Sequence, residues 1–288
     1  MDVGGTSIKF GVYSVEGKLV RKLDPITTYN TETHNGIVEA VLSVAKAVKD
    51  EVAGVAISSA GIVNTEEGKI IYSGYTIPGY TNTNWKQLIK DETGLDCEVE
   101  NDVNAAALGE KWLGALQDVS NGVCLTVGTG VGGAVLINGR IHSGTNYTTG
   151  EIGYMDIGED NLQNLASTSS LVKRVAARTG EELNGFDIFE KAKAGETIYE
   201  EEIQNMVDYL SKGLVNIIYL INPEKIVLGG GVMAQQDYLE PMIQEAVAKR
   251  IEDPFFLSTE IAFAELGNDA GLLGALYHFL VNKKEIIS

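Results

Sequence analysis

Thr126-Val-Gly-Thr-Gly-Val-Gly-Gly-Ala-Val-Leu-Ile137, followed by Asn138-Gly139, reads as a strand end, a glycine turn, a second strand and a further hairpin turn. Near the start of the chain, Asp2-Val-Gly-Gly-Thr-Ser-Ile-Lys-Phe-Gly-Val-Tyr13, followed by Glu16-Gly17, has the same order of parts. Their separation far exceeds a solenoid period, so a duplicated α/β domain with one phosphate-handling hairpin per half explains the pair. Gly128-Thr-Gly-Val-Gly-Gly133 also matches G-x-G-x-x-G, with Glu151 eighteen residues beyond Gly133. A dinucleotide fingerprint must open a helix, however, and here Ala134-Val-Leu-Ile137 continues as a strand. No Gly-Lys-Ser/Thr follows, which removes a Walker A loop. What remains is backbone bare enough for N–H groups to approach an anion, with Thr6 and Thr129 adding hydroxyls.

Around these hairpins, strand-like and helical patterns mix, which argues for an α/β fold. Val52–Ser58 and Lys225–Gly229 are short apolar runs typical of buried strands. Ile37, Val38, Val41, Leu42, Ala45 and Val48 share one helical face. Asn84-Trp-Lys-Gln87 resembles a capping box. Ile203, Met206, Val207, Leu210, Leu214 and Ile217 form a longer stripe that stops at Asn222-Pro223.

The 288 residues include 40 acidic and 22 basic side chains, a net charge of −18, which repels phosphate backbones and anionic lipid. Nucleic-acid and membrane-surface binding are therefore not expected. Two cysteines, Cys97 and Cys124, cannot build a disulfide framework and fit a reducing cytoplasm. The charge-free stretch Gly122–Gly139 carries six glycines and reads as strands joined by a loop, not a membrane span.

Three further segments carry possible chemistry. Glu100-Asn-Asp-Val-Asn-Ala-Ala-Ala107 leaves a strand and starts an Ala-rich helix, putting Asp102 near a helix N-terminus that favours its ionised form. A carboxylate there can accept a proton from a hydroxyl, or it can simply cap the helix. Leu228-Gly-Gly-Gly-Val-Met233 lies between a strand and a helix, where bare backbone either borders a ligand or packs tightly. Gly267-Asn-Asp-Ala-Gly-Leu-Leu-Gly-Ala275 reads as an Asn/Asp-capped helix with small residues for close packing, or as a ligand contact. His34, His142 and His278 are scattered and read as surface or packing residues.

Taken in order, Asp2-x-Gly-Gly-Thr6, Glu100-Asn-Asp102, Gly128–Gly133, Gly150-Glu-Ile-Gly153 and Leu228–Gly231 resemble the ROK family of sugar kinases, within the actin/hexokinase-like ATPase superfamily. The resemblance spans essentially the whole chain. It implies two RNase H-like α/β domains with the active site in an interdomain cleft. The smaller N-terminal domain is expected over residues 1–111 with 277–288, the larger over 112–276. It also implies an ATP:sugar 6-phosphotransferase using ATP and Mg²⁺, in the cytoplasm and as a homodimer. By that resemblance Asp2, Gly4, Gly5, Thr6 and Lys9 border the triphosphate and its Mg²⁺. Gly128, Thr129, Gly130 and Gly132 hold phosphates, and Gly229, Gly230 and Gly231 lie against the adenosine. Asp102 is the general base on the sugar 6-hydroxyl. Asn64, Asn101 and Glu151 bind the sugar, with the turn Ser59–Gly61 nearby. Glucokinase, fructokinase or N-acylmannosamine kinase activity is a variant of the same reading. A sugar-sensing, repressor-type protein is the alternative of another class, and the charge of −18 argues against its DNA binding.

Two departures from the family pattern are informative. The family's usual Gly-Glu-x-Gly-His and cysteine-rich zinc module are absent: the sequence has Gly150-Glu-Ile-Gly-Tyr154, and no cysteine follows Cys124. Structural zinc is therefore not expected. Gln163 aligns roughly with a glutamate that meets hydroxyls near the anomeric carbon, and Asn161–Thr168 must hold its shape without metal. This version resembles the zinc-free β-glucoside kinase branch. A glucoside carries a bulky group on O1, which would misplace a glutamate on a free anomeric hydroxyl; Tyr154 either stacks on a sugar face instead or packs where the family has its metal site. The family pattern also leads one to expect several apolar residues of first strand ahead of Asp2.

Overall fold

In the computed structural model, which describes residues 1–74 and 77–283, each glycine hairpin opens a five-stranded sheet. In the first, β1 (Asp2–Val3) turns into β2 (Ser7–Tyr13) and β3 (Leu19–Thr27), both joined antiparallel. Helix α1 (Gly36–Val48) then leads to β4 (Gly54–Ser59), parallel to β1, and α2 (Trp85–Thr93) leads to β5 (Asp96–Asn101), parallel to β4. The order is β3-β2-β1-β4-β5, and α3 (Asp102–Leu113) follows directly.

The second sheet repeats this plan. β6 (Gly122–Val127) and β7 (Val131–Ile137) form the hairpin around Gly128–Gly130, and β8 (Arg140–Ile141) extends it. After helices α4 (Thr168–Thr179), α5 (Gly185–Lys193) and α6 (Thr197–Ile221), β9 (Lys225–Gly229) pairs parallel to β6. α7 (Gln236–Ala248) then leads to β10 (Glu260–Phe263), parallel to β9. The order β8-β7-β6-β9-β10 matches the first sheet strand for strand, as duplication requires. The last helix, α8 (Ala270–Asn282), returns to the first unit.

The units comprise residues 1–117, 143–148 and those from Asn268 onward, and residues 118–142 with 149–267. The boundaries expected at 111/112 and 276/277 would cut α3 and α8, whose hydrogen-bonded turns form one piece each, and the observed units leave both helices whole. Residues 284–288, part of the expected first domain, lie outside the described residues. Each unit has its own core. Ile8, Ile37, Val41, Ile57, Trp85 and Val99 lead the first, while the α6 stripe Ile203–Ile217 and the β6 and β9 side chains lead the second.

Local expectations fare unevenly. The α6 stripe ends at Asn222, which adopts φ 48°. Asn84 caps α2 by accepting from Gln87 N at 3.0 Å, but the Gln87 side chain donates to Asp91 at 2.7 Å, so only one arm of the capping box forms. Asp269 precedes α8 without a side-chain cap bond. Close packing explains the small residues there, because a Cβ at Gly274 would meet the Ala105 carbonyl and one at Gly109 the Ala270 carbonyl.

β1 has two residues, whereas its neighbours run on: continuing its register places Phe10–Tyr13 on one side and Gly54–Ile57 on the other. A cavity of about 230 Å³ lies there, between Val44 and Val48 of α1 and Leu276 and Phe279 of α8.

Candidate active site

In the first unit, the sequence-predicted residues gather at the carboxyl ends of β1, β4 and β5, where parallel α/β sheets place their ligands. Asp2 is half-buried, accepts from Ser58 Oγ at 2.9 Å and faces Lys9 Nζ at 3.7 Å. The turn after it closes with Gly4 N donating to Ser7 O at 3.1 Å, and Thr6 is exposed.

Asn101, not Asp102, is the N-cap of α3. Its Oδ1 accepts from Val103 N and Asn104 N at 2.9 and 3.1 Å. Its Nδ2 donates to Gly61 O at 2.9 Å and to Asp102 Oδ1 at 3.0 Å, tying the Ser59–Gly61 turn to the start of α3. Ser59 Oγ is hydrogen-bonded to the buried Tyr80 hydroxyl at 2.7 Å, which in turn receives Trp85 Nε1 at 3.0 Å. Asp102 Oδ1 also accepts from Val103 N at 2.9 Å, and no bond occupies its Oδ2 among the described residues. Desolvation pushes its pKa up to about 6 against the amide bonds that favour charge, with the negative charge of Asp2 adding to the rise. Asp102 is thus a weakly solvated carboxylate that is ionised at neutral pH and poised to take a proton. Asn64 lies on the short strand Ile62–Asn64 and its Oδ1 accepts from Glu67 N at 3.1 Å, so turn formation already uses that oxygen.

In the second unit, Gly128 N donates to Gly130 O at 2.9 Å, closing the hairpin turn, and Gly128 O accepts from Thr168 N at 2.8 Å at the start of α4. Gly132 sits in the ladder opposite Thr126. Gly229 ends β9, and Gly230, at φ 98°, presses its backbone against Val127. Gly128, Thr129 and Gly231 line a cavity of about 860 Å³ with Thr168, Asn184 and Phe186. Cβ atoms at Gly128 and Gly231 would meet nothing within 4 Å, so these glycines leave open space in the cavity wall. Thr168 Oγ1 is buried without a hydrogen-bond partner among the described residues. The space, the bare backbone and the spare hydroxyl fit a nucleotide with its phosphates at the turn. Sequence reasoning missed Thr168, Asn184 and Phe186. They come from the starts of α4 and α5, and only the folded chain brings those ends to the glycine turn.

Glu151 precedes a short 3₁₀ turn, Ile152–Tyr154, and partial desolvation raises its carboxyl above the usual range. Gly150, at φ 96°, packs against the Gly133 carbonyl, which anchors this turn to β7. Tyr154 is 65% exposed, so packing does not account for it. Gln163 Oε1 lies beside the hairpin turn, 2.9 Å from where a Cβ on Gly130 would be. The segment around it holds its shape through small polar turns. Asp156 Oδ1 accepts from Gly158 N at 2.7 Å, Asp160 Oδ1 from Asn161 N at 2.7 Å, and Asn161 Oδ1 caps the helix Leu162–Ala166. Tyr209 adds a hydroxyl bond to Glu159 at 2.7 Å. Among the described residues, no group of three or more His, Cys, Asp or Glu is placed to hold a metal ion. No helix among them is long and apolar enough to cross a membrane.

The chain is similar to the β-glucoside kinase of Listeria monocytogenes, 34% identical over 97% of this chain and 96% of that protein. Among solved structures it resembles a ROK family protein from Streptococcus pneumoniae in complex with sucrose, at 32% identity and TM-score 0.87, covering 99% and 98% of the two chains. It also resembles a ROK family glucokinase from Streptomyces griseus in complex with glucose and AMPPNP, at 25% identity and TM-score 0.81, covering 96% of each. The ROK family itself matches residues 1–282, and the chain belongs to that family.

Proposed function

We propose that the protein is an ATP-dependent kinase that phosphorylates the 6-hydroxyl of a glucose unit in β-glucosides such as cellobiose. The observation that carries the reading is Asp102: a desolvated carboxylate fixed at the start of α3 with one oxygen uncommitted. It takes the proton of the sugar O6–H while that oxygen bonds to the γ-phosphorus and the bond to the ADP oxygen breaks. Asn64, Asn101, Glu151 and Tyr154 are the proposed sugar-binding residues. The glycine-lined cavity of the second unit takes the nucleotide, with Gly128, Thr129, Gly130 and Gly132 at the phosphates and Gly229, Gly230 and Gly231 at the adenosine. Asp2, with Gly4, Gly5, Thr6 and Lys9 around it, is the proposed Mg²⁺-side contact, and the metal would neutralise phosphate charge there. A homodimer working in the cytoplasm belongs to the same proposal.

The similarity to β-glucoside kinases supports a glucoside over free glucose, and so does the sucrose-bound relative, because both ligands carry a substituent on the anomeric carbon. Exposed Tyr154, where the family has histidine, offers a flat face for that added group. ADP release with Mg-ATP on cellobiose, gentiobiose, glucose, fructose and N-acetylmannosamine tests this. Disaccharides should give kcat/KM at least about tenfold above glucose, a difference of about 1.4 kcal/mol in transition-state binding. Turnover mainly on glucose would make the protein a glucokinase and remove the argument from Tyr154. No turnover on any sugar would favour a non-catalytic sensor.

A further inference from the structure

We infer that Glu100 is a positioning residue for Asp102, acting through a hydrogen-bonded brace at the start of α3; this rests on the proposed role of Asp102. Strand alternation sends Val99 into the apolar core and Glu98 and Glu100 to the opposite face, both almost fully buried. Burying two carboxylates two residues apart is costly, and apolar residues would fill the space more cheaply. The position therefore calls for a reason beyond packing.

The bonds supply one. Glu100 Oε1 accepts from Asn101 N at 2.8 Å and from Asn104 Nδ2 at 3.1 Å. Asn101 is the residue whose side chain caps α3 and donates to Asp102 Oδ1. Asn104, one turn in, is buried with that donor aimed back at Glu100. A single oxygen thus grips Asn101 and Asn104 on either side of the base, which fixes the start of α3 and the Asn101 side chain that donates to Asp102 Oδ1.

The other oxygen of Glu100 faces His278 of α8, with Nδ1 at 3.8 Å. His278 Nε2 lies 3.7 Å from Glu98 Oε2 and 3.1 Å from Asn282 Nδ2. Lys86 of α2 and Lys283 approach Glu98 at 3.0 and 3.4 Å. The charged and titratable groups around the brace are therefore Glu98, His278, Lys86, Lys283 and, on its front side, Asp102. Burial drives the Glu100 carboxyl up to about 7 and the His278 imidazole down to about 4. The brace needs an acceptor oxygen, which a neutral carboxyl or an amide also provides. Glu100 consequently positions by hydrogen bonding, not by charge.

The test compares Glu100→Gln, Glu100→Ala and Asn104→Ala on the sugar that turns over best. Glu100→Ala should lower kcat about 30-fold or more, on the scale that misplacing a reacting group costs. KM for ATP should stay within about twofold, since the nucleotide cavity belongs to the other unit. Glu100→Gln should keep kcat within about threefold and retain the acid limb near pH 6 that Asp102 sets. Asn104→Ala, which removes one arm of the grip, should fall between them and keeps the idea testable if Glu100→Ala does not fold. A folded Glu100→Ala with near-parental kcat would overturn the inference, as would an unchanged Asn104→Ala, or a Glu100→Gln as impaired as Glu100→Ala. Asp102→Asn is run alongside. If that variant stays active, the base assignment fails; if it is inactive while Glu100→Ala turns over normally, only the role of Glu100 fails.

Discussion

Asp102→Asn should lower kcat by about 10³-fold or more while leaving KM for sugar and ATP within a few-fold. Asparagine keeps the size and the acceptor oxygen that receives the Asn101 and Val103 donors, so α3 starts as before. What it loses is the oxygen that takes the O6 proton in the proposed mechanism. The parent enzyme should also show an acid limb in kcat. Desolvation raises the Asp102 pKa to about 6, so the carboxylate predominates above that pH and is lost by protonation below it. The rate should therefore fall towards one-tenth for each unit below about pH 5. ADP release across pH 4.5–8 measures both effects. Near-normal turnover in Asp102→Asn would remove this residue from the chemistry.

Gly274→Val should destabilise the first unit by at least about 3 kcal/mol and lower its Tm by roughly 6–12 °C. Gly274 on α8 crosses α3 so closely that a Cβ would run into the Ala105 carbonyl, with Gly109 N also near at 2.7 Å. Backbone is rigid on both sides, so relief requires the helices to part and their packed side chains to lose contact. The contrast is Gly180, the left-handed C-cap of α4 at φ 73°, where a Cβ meets nothing within 4 Å. Gly180→Asn should cost about 1 kcal/mol or less, because asparagine tolerates that conformation. Calorimetry decides: a Gly274→Val protein melting within two degrees of the parent would show that the close approach is not needed.

These variants mark how far residues alone could be read. The two hairpins were legible because glycine spacing and apolar runs are local, and the repeated strand order confirms that they are counterparts. Asp102 was legible as a helix-start carboxylate, since a strand run, a polar triplet and an alanine run lie side by side. His278 was not legible as the neighbour of Glu98 and Glu100, because α8 returns to the first unit from the end of the chain. Nor could the sequence choose between ligand contact and packing at Gly267–Ala275, which the Ala105 and Ala270 carbonyls decide.

Pattern and composition thus determined the duplicated α/β plan, the glycine turns, the helix on which Asp102 sits and the absence of the family's cysteine zinc module. Each is a property of neighbours in the chain, where spacing dictates hydrogen bonding and conformation. Tertiary structure alone decided the raised pKa of Asp102, the brace from Glu100, the cavity that gathers the starts of α4 and α5 beside Gly128, and the polar turns around Gln163. Burial, desolvation and donor geometry depend on which distant segments arrive beside a residue, and no local spacing records that.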